Sequence, residues 1–122
     1  MVKELQPIGP DALQGLNVSF PCFADGLAAG FPSAAEGYED EPLNIHRYLV
    51  RNEPATFPFR LVGDLPADHL VDGTILVVDR SVRPGTGKLV IVREDGADYV
   101  CRFEECNAGD VRGVVVGAFR RM

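Results

Sequence analysis

No stretch of this 122-residue chain approaches the ~18 consecutive apolar residues that a membrane span needs. Nor does the N-terminus carry a charged opening followed by an apolar run, the mark of a secretion signal. No membrane contact is therefore expected, and the cytoplasm is the expected location. Cysteine is sparse. Cys22, Cys101 and Cys106 form an odd set with no dense framework, which argues against a disulfide scaffold. His46 and His69 lie far upstream of Cys101 and Cys106, and no second Cys/His pair has zinc-like spacing, so neither a metal nor a cofactor is expected. Lysine is scarcer still: Lys3 and Lys88 are the whole supply. Positive charge is short overall, with a formal net charge of −6. An acidic chain is repelled by phosphates at long range, so direct nucleic-acid binding is not expected. The small basic group Arg112, Arg120 and Arg121 does not reverse that. There is no internal repeat and no low-complexity segment.

What is present is globular in kind, with 46% hydrophobic and 25% charged residues. The length suits one core. Residues 1–35 contain Pro7, Pro10, Pro21 and Pro32 among several glycines, and their apolar residues keep no period. They read as an irregular N-terminal arm, with residues 36–122 as the folded domain. Glu36 to Glu41 is acidic and reads as a solvated loop. A short helix is expected between Asp40 and Glu53, capped by Asp40, with Pro42 in its first turn and Ile45, Tyr48 and Leu49 on one face. From Phe57 the pattern is β, with candidate strands Phe57–Val62, Thr74–Asp79, Lys88–Glu94, Ala97–Glu105 and Val111–Arg120. Asp95-Gly96 separates two of them by a two-residue hairpin turn. The expected fold is mostly β: small, twisted and antiparallel, with one short helix.

Two motifs need weighing. Pro84-Gly-Thr-Gly-Lys88 has the look of a phosphate-binding loop, but Val82 stands where the first glycine belongs and Leu89 where Ser or Thr belongs. That loop also works by feeding a helix N-terminus, whereas a strand follows here, so a β-turn is the reading. In Ala97–Glu105, alternation puts Tyr99, Cys101 and Phe103 on one face and Val100 and Arg102 on the other. Cys101 reads as a buried structural thiol. A Cys101–His69 nucleophilic pair rests on composition alone.

Three segments resemble the UmuD branch of the LexA/UmuD self-cleaving serine peptidases. Ala28 to Ala35 (AAGFPSAA) resembles the self-cleavage site, which would put the scissile bond at Ala29–Gly30. Phe59 to Asp79 (FRLVGDLPADHLVDGTILVVD) resembles the segment that carries the serine, where Gly-Asp-Ser-Met leads into an Asp-Gly-Asp turn and a strand ending in Asp. Gly113 to Val116 resembles the strand near the family's C-terminus. The resemblance implies the twisted antiparallel fold of that family. It also implies a dyad: a serine after Gly-Asp, and a lysine on a later strand as its base. Here Gly63-Asp64 is followed by Leu65, which has no heteroatom, and Pro66 has no N–H to give an oxyanion. Aligning Asp95-Gly96 with the family's turn puts Cys101 at the lysine position, and a one-residue slip would put Arg102 there, which stays protonated. The segment between that strand and the last one is also short, with only Phe103 to Asp110 filling it.

The resemblance therefore implies a pseudopeptidase rather than an enzyme. Leu65 and Cys101 would be degenerate catalytic positions, and Ala29 and Gly30 a vestigial cleavage site. The expected function is protein–protein binding in the SOS response and translesion DNA synthesis, as accessory subunit of a Y-family DNA polymerase. The RecA filament is a further partner of this class. A regulatory decoy paired with an active UmuD-type homologue is the alternative, and an active self-cleaving peptidase with a relocated nucleophile the third reading. A homodimer is expected, with Val114, Val115, Val116 and Phe119 as its edge, because an apolar edge strand needs a partner.

Overall fold

The structure, a computed structural model, describes residues 3–23, 39–106 and 111–122. Six strands close into an antiparallel barrel: β1 (Lys3–Pro7), β4 (Thr56–Leu61), β5 (Ile75–Asp79), β6 (Leu89–Glu94), β7 (Ala97–Arg102) and β8 (Val111–Phe119). Around the barrel the order is β1-β4-β5-β8-β6-β7. A separate two-stranded sheet pairs β2 (Ser19–Phe23) with β3 (Glu39–Asn44). Two short helices, α1 (Asp11–Gln14) and α2 (Ile45–Leu49), complete the set.

Alternation along the strands builds the core. Leu5, Leu61, Leu76, Val78, Ile91 and Val100 come from five different strands and form one buried cluster, the barrel interior. Their neighbours in sequence point the other way. Val77 packs on the outer face with Leu13 and Val50 and against Leu16, Leu49 and Phe119, so the two helices cover that side. Val90, Cys101 and Val114 form a third buried cluster on another outer face, with Phe103, Cys106 and Val111 packed against it. Both faces of the central strands are thus buried, which accounts for their nearly continuous Val, Ile and Leu content.

The Asp95-Gly96 turn forms as its sequence requires. Glu94 pairs with Ala97, and Asp95 and Gly96 both have positive φ, at 52° and 79°. At Pro84–Lys88 the backbone also turns: the Lys88 amide donates to the Gly85 carbonyl at 3.1 Å, Gly87 has φ +84°, and β6 follows.

Several expectations need correction. Lys3–Pro7, read as part of an irregular arm, is a barrel strand that pairs with both β4 and β7, and Leu5 is buried in the interior. The helix after the acidic segment starts later than expected. Asp40 and Pro42 lie in β3, and Asn44 is the cap, its side chain accepting from the Arg47 amide at 3.0 Å. β7 ends at Arg102, and Phe103–Glu105 is a turn of 3-10 helix. Cys101 is not a free thiol, because its sulfur is bonded to that of Cys106. Finally, β8 is not an edge along its whole length. Val111, Gly113 and Val114 pair with β6, and Val114 to Phe119 pair with β5, so Val114 has a strand on each side and is buried. Within β8, Val111 and Gly113 thus pair with β6 alone and the stretch after Val114 with β5 alone.

Candidate functional site

The loop from Val62 to Thr74 joins β4 to β5 and is fixed by its own carboxylates. Gly63, at φ +88°, donates its N–H to Asp72 Oδ1 at 2.7 Å. Asp72 donates its N–H to Asp64 Oδ1 at 2.8 Å. The two acids thus staple opposite ends of the loop. Leu65 and Leu70 exchange both backbone hydrogen bonds, at 2.9 and 3.1 Å, around a 3-10 turn at Pro66–Asp68. His69 closes that turn in the left-handed region, at φ 57°. It is exposed.

Leu65, the residue that follows Gly63-Asp64, is 2% exposed and packs into the barrel interior with Leu61, Leu76 and Val100. Beside this loop runs a cleft of about 540 Å³, lined by Asp68, Leu70, Gly87, Lys88, Arg102 and the Val114–Ala118 stretch of β8. The unpaired side of β8 therefore forms one wall. The opposite wall is held by ionic contacts. The Arg102 guanidinium is paired with Asp68 and donates to the Gly87 carbonyl at 3.3 Å. The Gly87 N–H in turn donates to Glu104 Oε2 at 2.9 Å. That hydrogen bond and the N–H of Glu104 itself hold the Glu104 carboxyl below its usual range, against an opposing effect of desolvation and with a lesser contribution from the nearby Arg102 charge.

The expected site residues separate in space. Leu65 belongs to the barrel interior, whereas Cys101 lies on the outer face of β7, bridged to Cys106. The residue of β7 on the Leu65 side is Arg102, held by Asp68 of the Leu65–Leu70 loop. With no thiol and no shared face, a Cys101–His69 pair does not form. Lys88 is exposed, as its position at the head of β6 suggested, and it lines the cleft. Val115 packs against the interior cluster, Val116 is 37% exposed, and Phe119 packs against Leu13 and Val50. Ala29 and Gly30 lie outside the described residues. Among the described residues, no group of three or more His, Cys, Asp or Glu side chains could hold a metal.

The sequence marks Asp72-Gly73 as a turn, but it did not single out Asp68 or Glu104, nor the contacts of Asp72 with Gly63 and of Glu104 with Gly87, which form only once the chain folds.

One chemistry this arrangement offers is recognition. An unpaired strand side offers backbone N–H and C=O groups, apolar valines flank it, and a fixed ion pair and a lysine face it. An extended peptide can add to such a strand.

Comparison with known proteins agrees with this geometry. The chain is 43% identical over 74 residues to the protein MucA of Salmonella typhimurium, covering 60% of this chain and 51% of that protein. It is 38% identical over 85 residues to the protein SamA of the same species, covering 69% and 61%. Against the protein ImpA of Escherichia coli the identity is 39% over 84 residues, covering 68% and 58%. The chain thus matches between half and three fifths of the length of these relatives. No solved structure matches. The sequence model described as Peptidase S24-like matches residues 21–112, a span running from β2 into the start of β8 that includes the Gly63–Thr74 loop. A six-stranded antiparallel barrel, a Gly-Asp loop against it and a match over most of the chain lead to one assignment: this chain belongs to the Peptidase S24-like family, on its UmuD-like side.

Proposed function

We propose that this chain is a UmuD-like pseudopeptidase that acts by binding proteins in the SOS response and translesion DNA synthesis, as accessory subunit of a Y-family DNA polymerase. One observation carries the reading. The residue after Gly63-Asp64 is Leu65, and its side chain is buried in the barrel interior, while the cleft beside it keeps an unpaired strand side. The position that would need an activated hydroxyl holds a hydrocarbon used for packing. Arg102, the β7 side chain on the loop's side, is engaged with Asp68, and a guanidinium does not serve as a base. What remains usable is the surface. The assignment to DNA-damage tolerance rests on the likeness to the UmuD branch, and the partner named follows from that likeness.

The test is a pull-down from cells exposed to DNA damage, with the full chain beside a version starting at Gly30. Recovery of a Y-family polymerase is the expected result. Recovery of an intact UmuD-type homologue alone would replace the accessory-subunit reading with that of a decoy. Retention of DNA at physiological salt, with neither protein, would contradict protein binding as the function.

A further inference from the structure

The barrel has a second concavity, at the end away from the cleft, that the protein-binding reading does not use. It is a mouth of about 260 Å³ where the strand ends converge. Arg80 follows β5, Arg93 lies near the end of β6 and Arg112 near the start of β8. Asp98 of β7 is the one carboxylate in the lining, and Phe57 and Phe59 of β4 supply ring surface. Three of the arginines of a chain with net charge −6 therefore meet at one opening. Among the described residues none of the three forms an ion pair. Arg93 and Asp98 are register partners across β6 and β7, yet they do not bond to each other. Arg80 lies over the Phe57 ring, 5.7 Å from its centroid.

Like charges that outnumber the counter-charges beside them repel one another, and an anion in their midst relieves that repulsion. Three guanidinium charges against one carboxylate leave two positive charges at the mouth. A carboxylate ligand supplies one negative charge, whereas a phosphate monoester near neutral pH supplies nearly two, with three acceptor oxygens that suit guanidinium forks. The size of the opening falls just under the ~300 Å³ where drug-sized sites begin, so it suits a small or partly exposed ligand. The phenylalanine rings suit a flat ring beside the phosphate. Asp98 can accept from an amino group or a sugar hydroxyl. Mouths of barrels are a usual place for such sites.

We propose that this mouth binds a phosphomonoester carried on a small flat ring, of the nucleoside 5′-monophosphate class, with Arg80, Arg93 and Arg112 around the phosphate and the Phe57 and Phe59 rings against the base. The site is separate from the Leu65 cleft and independent of the protein-binding reading. The chain's overall acidity opposes a long strand of phosphates, so a free nucleotide is the ligand rather than a nucleic-acid end.

Titration calorimetry on the full chain tests this, with adenosine 5′-monophosphate as probe and adenosine and inorganic phosphate as controls. Saturable binding of the nucleotide is expected, tighter than either control, and weakened by added salt. Arg93→Gln with Arg112→Gln should weaken it about tenfold or more, since each loses a charged hydrogen bond. Both residues are exposed, and an unchanged melting temperature would show that the fold survives. Absence of saturable binding at millimolar nucleotide would overturn the proposal. So would equal binding of adenosine, or equal affinity in the folded double variant. A 5′-phosphorylated tetranucleotide that binds more tightly than the mononucleotide would overturn the assignment to a free ligand.

Discussion

Leu65 is the residue on which the functional reading turns, and packing holds it in place. A serine there would exchange a buried hydrocarbon for a smaller polar group inside the cluster of Leu61, Leu76 and Val100. Leu65→Ser should cost about 2–5 kcal/mol, read as a lowered denaturation midpoint, since large-to-small core changes cost that much. Stability unchanged within error would contradict the placement of this side chain. Leu65→Ser combined with Cys101→Lys should restore no self-cleavage, because position 101 projects from the other face of β7. Efficient cleavage by that pair, seen as a new fragment by mass spectrometry, would contradict the register. The strand's alternation was legible in the sequence, but not which face is inside. Val100 and Cys101 are both fully buried, so hydrophobicity did not distinguish them. At the cleft wall, the lowered pKa of Glu104 has a defined sign. A depressed carboxyl supports the Gly87 contact above the ordinary glutamate range and loses it as pH falls through the lowered value. In an NMR titration the Glu104 carboxyl and the Gly87 amide should shift together, below the ordinary glutamate range. Titration of Glu104 within the ordinary range would show that the contact is absent in solution.

Among the elements, the later strands could be read from the sequence because their signals are local. Asp95-Gly96 fixes the β6–β7 hairpin, and Val/Ile/Leu-rich runs bounded by turn residues mark β5 and β8. Closure of the barrel could not be read, because β1 comes from a stretch broken by Pro7, Gly9 and Pro10 and buries Leu5 as its contribution to the interior. Its pairing with β4 and β7 depends on partners more than fifty residues away. The Cys101–Cys106 bond was hidden for a different reason. An odd cysteine count points away from disulfides, whereas the turn at Phe103–Glu105 brings these two together, with Cα atoms 6.1 Å apart. Alkylation of the denatured chain should therefore label two fewer cysteines before reduction than after, and equal labelling would contradict the bond. The seam between β5, β8 and β6 is tight at Gly113, where an added Cβ would meet Val78 Cγ1 at 2.6 Å and the Asp79 carbonyl at 3.3 Å. Gly113→Ala should destabilise by about 1–3 kcal/mol through overpacking. A neutral substitution would mean that β8 sits further from β5 than described.

At the scale of the molecule, closing the barrel removes most of its edges, but the second half of β8, beside the cleft, keeps one side unpaired. Such an edge is a liability unless paired or covered, which keeps a symmetric homodimer as the expected assembly. Light scattering at micromolar concentration should give twice the chain mass, and a monomer mass unchanged on concentration would count against it. The fold-level reading came from three short segments in the right order, and the barrel places two of them, the Gly-Asp loop and the Gly113–Val116 strand, against the same cleft. The third, with Ala29 and Gly30, lies outside the described residues, so the relation between that segment and the cleft is open to direct measurement. The central claim is that this chain binds and does not cut. Incubating the purified full-length chain at alkaline pH, and separately with an activated RecA filament, and following its intact mass over time tests that claim most directly. The account predicts one unchanged mass under both conditions. A fragment beginning at Gly30, accumulating at a rate independent of any added protease, would contradict it.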